Sequence, residues 1–252
     1  KLPDAKDEVW MLCNVFNEML ARLNTSFKLQ KQFIADASHE IKTPLAIIHS
    51  ELEYAMRSEL PYVARECIGI SLSETDRLAA LTSSLLMLVN IDSGQTTMNL
   101  QPVKIDELLS DTVKLMKSVA GKKNIKIKLK CSESISINAD SEKLTRVILN
   151  IIDNAIKYSP DNSTVQILQN IVPKDQYPLQ IIISDNGQGI GPLDMSSIFN
   201  RFYRSESLRG DSQGSGLGLS IAYDIVKLHN GILSVQSELN KGSDFIIKLP
   251  LS

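Results

Sequence analysis

The sequence predicts a multi-domain chain in two parts. The first is an all-α helical hairpin of the kind that pairs with a copy of itself into a dimeric four-helix bundle, and the second is an α+β domain. Three observations carry that prediction. Apolar residues recur at heptad spacing through the first part, glycine is absent until Gly69, and from about Met98 helical and strand periodicities alternate. The length of 252 residues suits one large domain or two ordinary ones.

The first helix opens with Val9, Leu12, Phe16, Met19 and Leu23, spaced 3, 4, 3 and 4 residues apart as in a heptad seam. Phe27, Ile34, Ile41, Ile48 and Ala55 then recur every seven residues, with Ala37, Leu45 and Leu52 filling the same stripe. Ser58-Glu59-Leu60-Pro61 reads as the turn, because proline disfavours helix in the residue before it. A second helix follows, with Cys67, Ile70, Leu78, Leu81, Leu85 and Leu88 on one face, ending near Asp92-Ser93-Gly94. Two such helices enclose little core alone, which is why a second copy is expected.

In the second part, Ile105 to Val119 reads as helix and Ile125 to Lys130 as a strand with one wet, lysine-bearing face. Leu144 to Tyr158 is helical, with Val147, Ile148, Ile151, Ile152 and Ala155 apolar. Thr164 to Ile171 and Leu179 to Ser184 read as strands, the latter carrying Ile181-Ile182-Ile183 as a buried run. Gly216 to Leu228 reads as helix, and Ile232 to Ser237 and Asp244 to Leu249 as closing strands.

Composition removes several classes of function. With 43 % hydrophobic and 22 % charged residues the chain is globular rather than disordered or fibrous. A net charge of -2 gives no electrostatic reason to expect nucleic acid or an anionic membrane surface as the main partner. Cys13, Cys67 and Cys131 form no CxxC pair, so neither a disulfide framework nor a zinc site is expected, and a reducing compartment suits them. No run approaches the ~18 apolar residues of a membrane span, and no signal peptide is visible. Because Lys1 rather than Met opens the chain, a fragment of a longer protein is expected.

Chemistry concentrates in five segments. His39 takes heptad position f if Ile34 and Ile41 are a positions, pointing away from the bundle core. A lone helical histidine is usually structural. Here, however, Glu40 can orient the imidazole and take its proton, and Thr43 lies one turn on, on nearly the same face. Pro44 removes the N–H that would reach the Glu40 carbonyl, so a bend is expected beside His39, at a cost of about 3 kcal/mol for proline within a helix. Asn150, Asn154 and Lys157 fall on one helix face, where two amides and an ammonium suit Mg²⁺ and polyphosphate oxygens. An isolated NxxxN is more often a polar flank. Asp185-Asn186-Gly187-Gln188-Gly189 follows a strand; its carboxylate can accept from an adenine amino group and its glycines admit close approach, although such a segment is also a plain turn. Ile198 to Arg204 carries aromatics that can anchor a loop, and residues 205–213, rich in Ser, Gly and charge, suit a flexible lid. Gly214-Ser215-Gly216-Leu217-Gly218 stands at a helix N-terminus, where free N–H groups favour phosphate. A Rossmann reading fails there because no strand leads into the segment.

Taken in order, these segments resemble the H, N, G1, F and G2 boxes of bacterial sensor histidine kinases of the HisKA type. The resemblance spans nearly the whole chain. It implies a partial HAMP linker helix over 1–28, a dimerisation and phosphotransfer domain over 29–94, and a two-layer Bergerat (GHKL, HATPase_c) ATP-binding domain over 98–252. Asp7-Glu8 and Phe16-Asn17-Glu18-Met19-Leu20 carry the HAMP likeness, with Trp10 where a glycine is common. By the same resemblance His39 is the phosphoacceptor, Glu40 its general base and Thr43 the residue used to dephosphorylate the partner. ATP and Mg²⁺ are implied, with Asn150 and Asn154 at the metal. Lys157, Tyr158, Asp185, Gly187, Gly189, Arg204, Gly214, Gly216, Leu217 and Gly218 are implied around the nucleotide, Arg204 also at the transferring phosphoryl group, with Arg201 a second candidate there. Implied partners are a second copy and a response-regulator receiver domain. The implied location is cytoplasmic, on a parent protein in the bacterial membrane. Two other readings stand beside this one. A hydrolytic ATPase of the gyrase, Hsp90 and MutL group carries a glutamate where this chain has Asn150, and a nucleotide-gated scaffold would keep the boxes without the catalysis.

Overall fold

The computed structural model describes residues 5–57, 61–173, 175–205 and 215–251, and no side chains of residues 5–9 and 21–40. Outside that description lie Ser58 to Leu60 of the expected turn, residues 206–213 of the lid expected over 205–213, Gly214, and the His39 and Glu40 side chains. Two compact units divide at Thr96 and Thr97.

The first unit is a helical hairpin. Helix α1 runs over Ala5–Met56, continuing through Pro44, and α2 over Tyr62–Asp92. Pro61, which has no N–H to leave unpaired, stands at the N-cap of α2. The helix ends where Gly94 turns left-handed at φ 64° and donates its N–H to Ile91 O at 3.0 Å. The helices pack along Leu45, His49 and Leu52 of α1 and along Ile68, Leu72, Thr75, Ala79 and Thr82 of α2, all buried or half-buried. On the expected apolar face of α2, Leu88 is buried and Leu81 and Leu85 are half-buried, whereas Cys67, Ile70 and Leu78 are exposed, as are Ile41 and Ile48 of α1. The hairpin therefore carries a second apolar stripe that its own helices leave uncovered.

In the second unit, strand β1 (Gln101–Lys104) pairs antiparallel with β3 (Ser136–Ala139) in a small ribbon. Helix α3 (Ile105–Gly121) and strand β2 (Lys126–Cys131) lie between them. Helix α4 (Ser141–Tyr158) follows β3 directly, and Asp140 caps it by accepting the Lys143 N–H at 3.1 Å. Strands β4 (Thr164–Ile171) and β5 (Leu179–Asp185), the single-turn helix α5 (Pro192–Met195), helix α6 (Gly218–Leu228) and strands β6 (Ile232–Glu238) and β7 (Gly242–Leu249) complete the unit. The main sheet has the order β2-β4-β5-β7-β6, with β2 and β4 parallel and every other pair antiparallel.

Helices α3, α4 and α6 cover one face of this sheet, giving two layers. The core between them holds Val147, Ile151 and Ile152 of α4, Ile167 of β4, Ile181 and Ile183 of β5, and Ile247 of β7. Because only one face is covered, the expected continuous run in β5 in fact alternates, and Ile182 is half-buried on the other side. Lys126, Lys128 and Lys130 stand exposed on edge strand β2. Charges there discourage pairing with another chain. Helix α6 begins at Gly218 rather than Gly216, because Gly216 sits at φ 69°. Among the described residues, no helix is long and apolar enough to cross a membrane.

Candidate functional site

Helix α4 is the wall that joins three of the five segments. Its apolar positions are buried, while Asn150, Asn154 and Lys157 are half-buried along the remaining face. Asn150 donates Nδ2–H to the Gly218 carbonyl at 3.1 Å, tying the middle of α4 to the first turn of α6. That bond leaves the carboxamide oxygen of Asn150 free to accept elsewhere. At its C-terminal end, α4 abuts the segment that follows β5. A Cβ on Gly187 would come within 2.7 Å of the Tyr158 carbonyl, so only glycine fits between the strand end and the helix. The Lys157 ammonium lies over the Tyr158 ring, 5.1 Å from its centroid.

The end of α4 is itself held from outside. Lys123, in the turn between α3 and β2, donates to the carbonyls of Ile156, Lys157 and Ser159 at 3.2, 2.7 and 3.2 Å. A cation at a helix C-terminus satisfies orphan carbonyls and complements the dipole. No local pattern marks Lys123 for this, since its partners lie more than 30 residues away.

Asp185 closes β5 with its carboxylate accepting the Gly187 N–H at 2.8 Å. Burial pushes its carboxyl pKa up, against the Gly187 and Ser243 N–H groups that favour the anion, and the nearby Asp244 charge adds to the rise. The chain then turns at Gly189, φ 70°, where a Cβ would lie 2.0 Å from the Glu238 carbonyl. Asn240 N–H to Gln188 O at 2.6 Å and Ile190 N–H to Ser237 Oγ at 2.8 Å brace this turn on the β6–β7 hairpin. These two glycines are thus required by protein backbone packed against them.

The aromatic segment is anchored on α6. Phe199 stacks on Tyr223 with centroids 5.2 Å apart, and Arg201 pairs with Asp224 at 3.5 Å. Phe202 does not anchor through its ring, which is 60 % exposed. Its backbone does so instead: at φ 60° it donates N–H to Gly216 O at 3.0 Å, and a Cβ on Gly216 would strike Phe202 at 2.8 Å. Tyr203 and Ser205 both donate to Asp194 of α5, and those hydroxyls, Tyr203 first, hold the Asp194 carboxyl below the usual carboxylate range. Arg204 is half-buried between them. Leu217 is fully buried, so its side chain belongs to the core and only its backbone can face a ligand.

Asp185, the amide face of α4 and the N-terminus of α6 thus surround one region of the second unit. A carboxylate, carboxamide oxygens, an ammonium and free helix N–H groups together suit a purine joined to a polyphosphate. Among the described residues no group of three or more His, Cys, Asp and Glu is placed to hold a metal. The amide oxygens of Asn150 and Asn154 fit Mg²⁺, which takes few protein ligands and shares phosphate oxygens.

The chain contains three histidines. The His229 ring is buried, its Nε2 accepting the Asp140 N–H at 3.0 Å and its Nδ1 meeting Ile225 O at 2.9 Å. The His49 ring lies 3.2 Å from Asp76 of α2 and 3.8 Å from Glu53. The third is His39, on α1 one turn before the exposed Thr43.

Comparison with known proteins adds the family. Residues 29–94 match the "His Kinase A (phospho-acceptor) domain", and residues 139–252 match the "Histidine kinase-, DNA gyrase B-, and HSP90-like ATPase". The signal transduction histidine-protein kinase ArlS of Staphylococcus aureus (strain USA300) is 36 % identical over 244 residues, 96 % of this chain and 53 % of ArlS. The chain therefore spans about half the length of the curated relatives it matches. Among solved structures, full-length ShkA in complex with AMPPNP aligns with TM-score 0.75 and 26 % identity, over 88 % of this chain and 46 % of ShkA. A mycobacterial sensor histidine kinase, MprB, aligns with TM-score 0.53 and 28 % identity, over 60 % of this chain and 97 % of that one.

Proposed function

Because the chain belongs to the bacterial sensor histidine kinases, we propose that it transfers the γ-phosphoryl group of ATP to His39 and thence to an aspartate of a response-regulator receiver domain. The observation that carries this reading is Asn150. The side chain hydrogen-bonded to Gly218 at the start of α6 is an amide, which cannot serve as a base towards water, so this position lacks the carboxylate that a hydrolytic ATPase of this fold carries there. An acceptor in the chain then suits the site better than water. Two of its three histidines are engaged elsewhere, and His39 is the third.

In the transfer, a neutral imidazole nitrogen of His39 attacks the γ-phosphorus in line. The bond to the β,γ-bridging oxygen breaks, ADP departs, and the imidazole proton passes to Glu40. Asp185 accepts from the adenine amino group, and Gly187 and Gly189 with Tyr158 form the wall beside it. Lys157, the backbone of Gly214, Gly216, Leu217 and Gly218, and Arg204 hold phosphate oxygens. Mg²⁺, when bound by Asn150 and Asn154, neutralises charge on the polyphosphate.

Residues 1–28 act as a partial HAMP linker, 29–94 as the dimerisation and phosphotransfer domain, and 98–252 as the catalytic domain. The exposed stripe of Ile41, Ile48, Ile70 and Leu78 supports a homodimer. Thr43 supports a phosphatase activity towards the regulator. The family resemblance supports a position of this core on the cytoplasmic side of a bacterial membrane.

Incubation with γ-labelled ATP tests the reading against its rivals. Acid-labile, base-stable label that His39→Ala abolishes supports the kinase. Free phosphate without labelled protein supports a hydrolase, and no turnover supports a scaffold.

A further inference from the structure

Two hydroxyls that flank Arg204 converge on one carboxylate. Tyr203 donates to Oδ1 of Asp194, and Ser205 donates to Oδ2 at 2.7 Å. With the residues on either side pinned to a common point, the backbone of Arg204 has little freedom left. Asp194 is in turn fixed by its own backbone: its N–H reaches Gly191 O at 3.0 Å, and its carbonyl accepts from Ser197 at 2.8 Å and Ile198 at 3.1 Å. Pro192 sets φ at the start of this short turn. On the other side of Arg204, the Phe202–Gly216 backbone bond and the Phe199–Tyr223 stack fix the chain to α6.

No residue of α5 is fully buried in the hydrophobic core, and Leu193, next to Asp194, is 92 % exposed. A carboxylate on a four-residue surface helix, fully occupied by two hydroxyls from one tripeptide, serves the placement of that tripeptide. We propose that Asp194 is a positioning residue for phosphoryl transfer, holding Tyr203 and Ser205 so that the Arg204 guanidinium is presented to the transferring group from a fixed backbone. It acts through Arg204 and touches no substrate. This inference rests on the kinase reading and on Arg204 serving it.

The test compares the wild-type chain with Asp194→Ala, the double variant Tyr203→Phe with Ser205→Ala, Arg204→Ala, and Asp194→Ala combined with Arg204→Ala. Two quantities are measured: the initial rate of His39 labelling at saturating ATP, and the dissociation constant for ADP, which lacks the γ-phosphoryl group. Asp194→Ala is expected to slow labelling about ten-fold or more while ADP affinity stays within about two-fold of wild type. The hydroxyl double variant, which leaves α5 intact, is expected to slow labelling in the same way. Asp194→Ala is expected to add little once Arg204 is gone, because residues acting through one another are non-additive. Wild-type labelling rates in Asp194→Ala, a parallel loss of ADP affinity, or full multiplication of the Asp194 and Arg204 effects overturns the inference and leaves the kinase reading standing. A wild-type chain that does not label His39 at all overturns both.

Discussion

His229 acts far from any chemistry yet holds the helix that carries the site. Its Nε2 accepts the N–H of Asp140, the N-cap of α4, and Nδ1 meets Ile225 O of α6, so these partners select the neutral tautomer with its proton on Nδ1. Burial pushes its pKa down, outweighing the Ile225 carbonyl and the Asp140 carboxylate that favour the cation, while the Lys143 charge adds to the depression. A base whose folded pKa lies below its unfolded value contributes its full stability above the unfolded pKa, ~6.5, and loses it as pH falls from there towards the folded value. Amide exchange in α4 and α6 is therefore expected to speed up as pH is lowered from about 7.5 to 5, after correction for the intrinsic rate. His229→Gln should flatten that dependence; an unchanged slope would remove the residue from this role. At this scale the sequence was legible where spacing is local. Asn150, Asn154 and Lys157 share a face because helical periodicity alone places them there, and the structure keeps them together. Leu217 was less legible, because a glycine-flanked residue in a phosphate-like loop gives no sign that its side chain is buried in the core.

Among the elements, α4 organises the second unit. The ribbon of β1 and β3 delivers the chain to its N-cap, Asn150 joins its middle to α6, and its last turn forms the wall against Gly187. That last turn depends on Lys123. Lys123→Met keeps the aliphatic stem but removes three donations to carbonyls, and is expected to cost about 1–2 kcal/mol of stability. A drop in the urea midpoint together with a weaker ADP affinity would match this, because the displaced carbonyl of Tyr158 packs on the Asp185 loop. Equal stability and affinity would contradict it. Elements of ordinary length were readable from period, including β4, β5 and the closing strands. Strands β1 and β3 and helix α5, of four residues each, are too short to show a period. Which face of α2 meets α1 was not legible for a different reason. The helix carries two apolar stripes, one through Ile68, Leu72 and Ala79 and one through Cys67, Ile70 and Leu78, and periodicity does not say which of them meets α1.

For the whole molecule, the uncovered stripe matters most. Ile41, Ile48 and Ile70 are each about half exposed or more, at 47, 49 and 63 %, on a hairpin whose other face is already packed. Coverage by a second copy predicts a dimer, and Ile48→Glu with Ile70→Glu is expected to give a monomer with intact helical content. Light scattering after size exclusion reads this directly, and a dimer in the double variant would move the interface elsewhere. The division into a helical part and an α+β part was legible because heptads and strand alternation are unlike periods. The pairing of the nucleotide site with His39 was legible only through the likeness of its segment to the H box, and the coordinates add what the other two histidines do. It can be measured by mapping the phosphate. After reaction with ATP at neutral to mildly alkaline pH, peptide mass spectrometry should find the phosphoryl group on His39 alone. Phosphate on His49, on His229 or on any hydroxyl or carboxylate in its place would contradict the account.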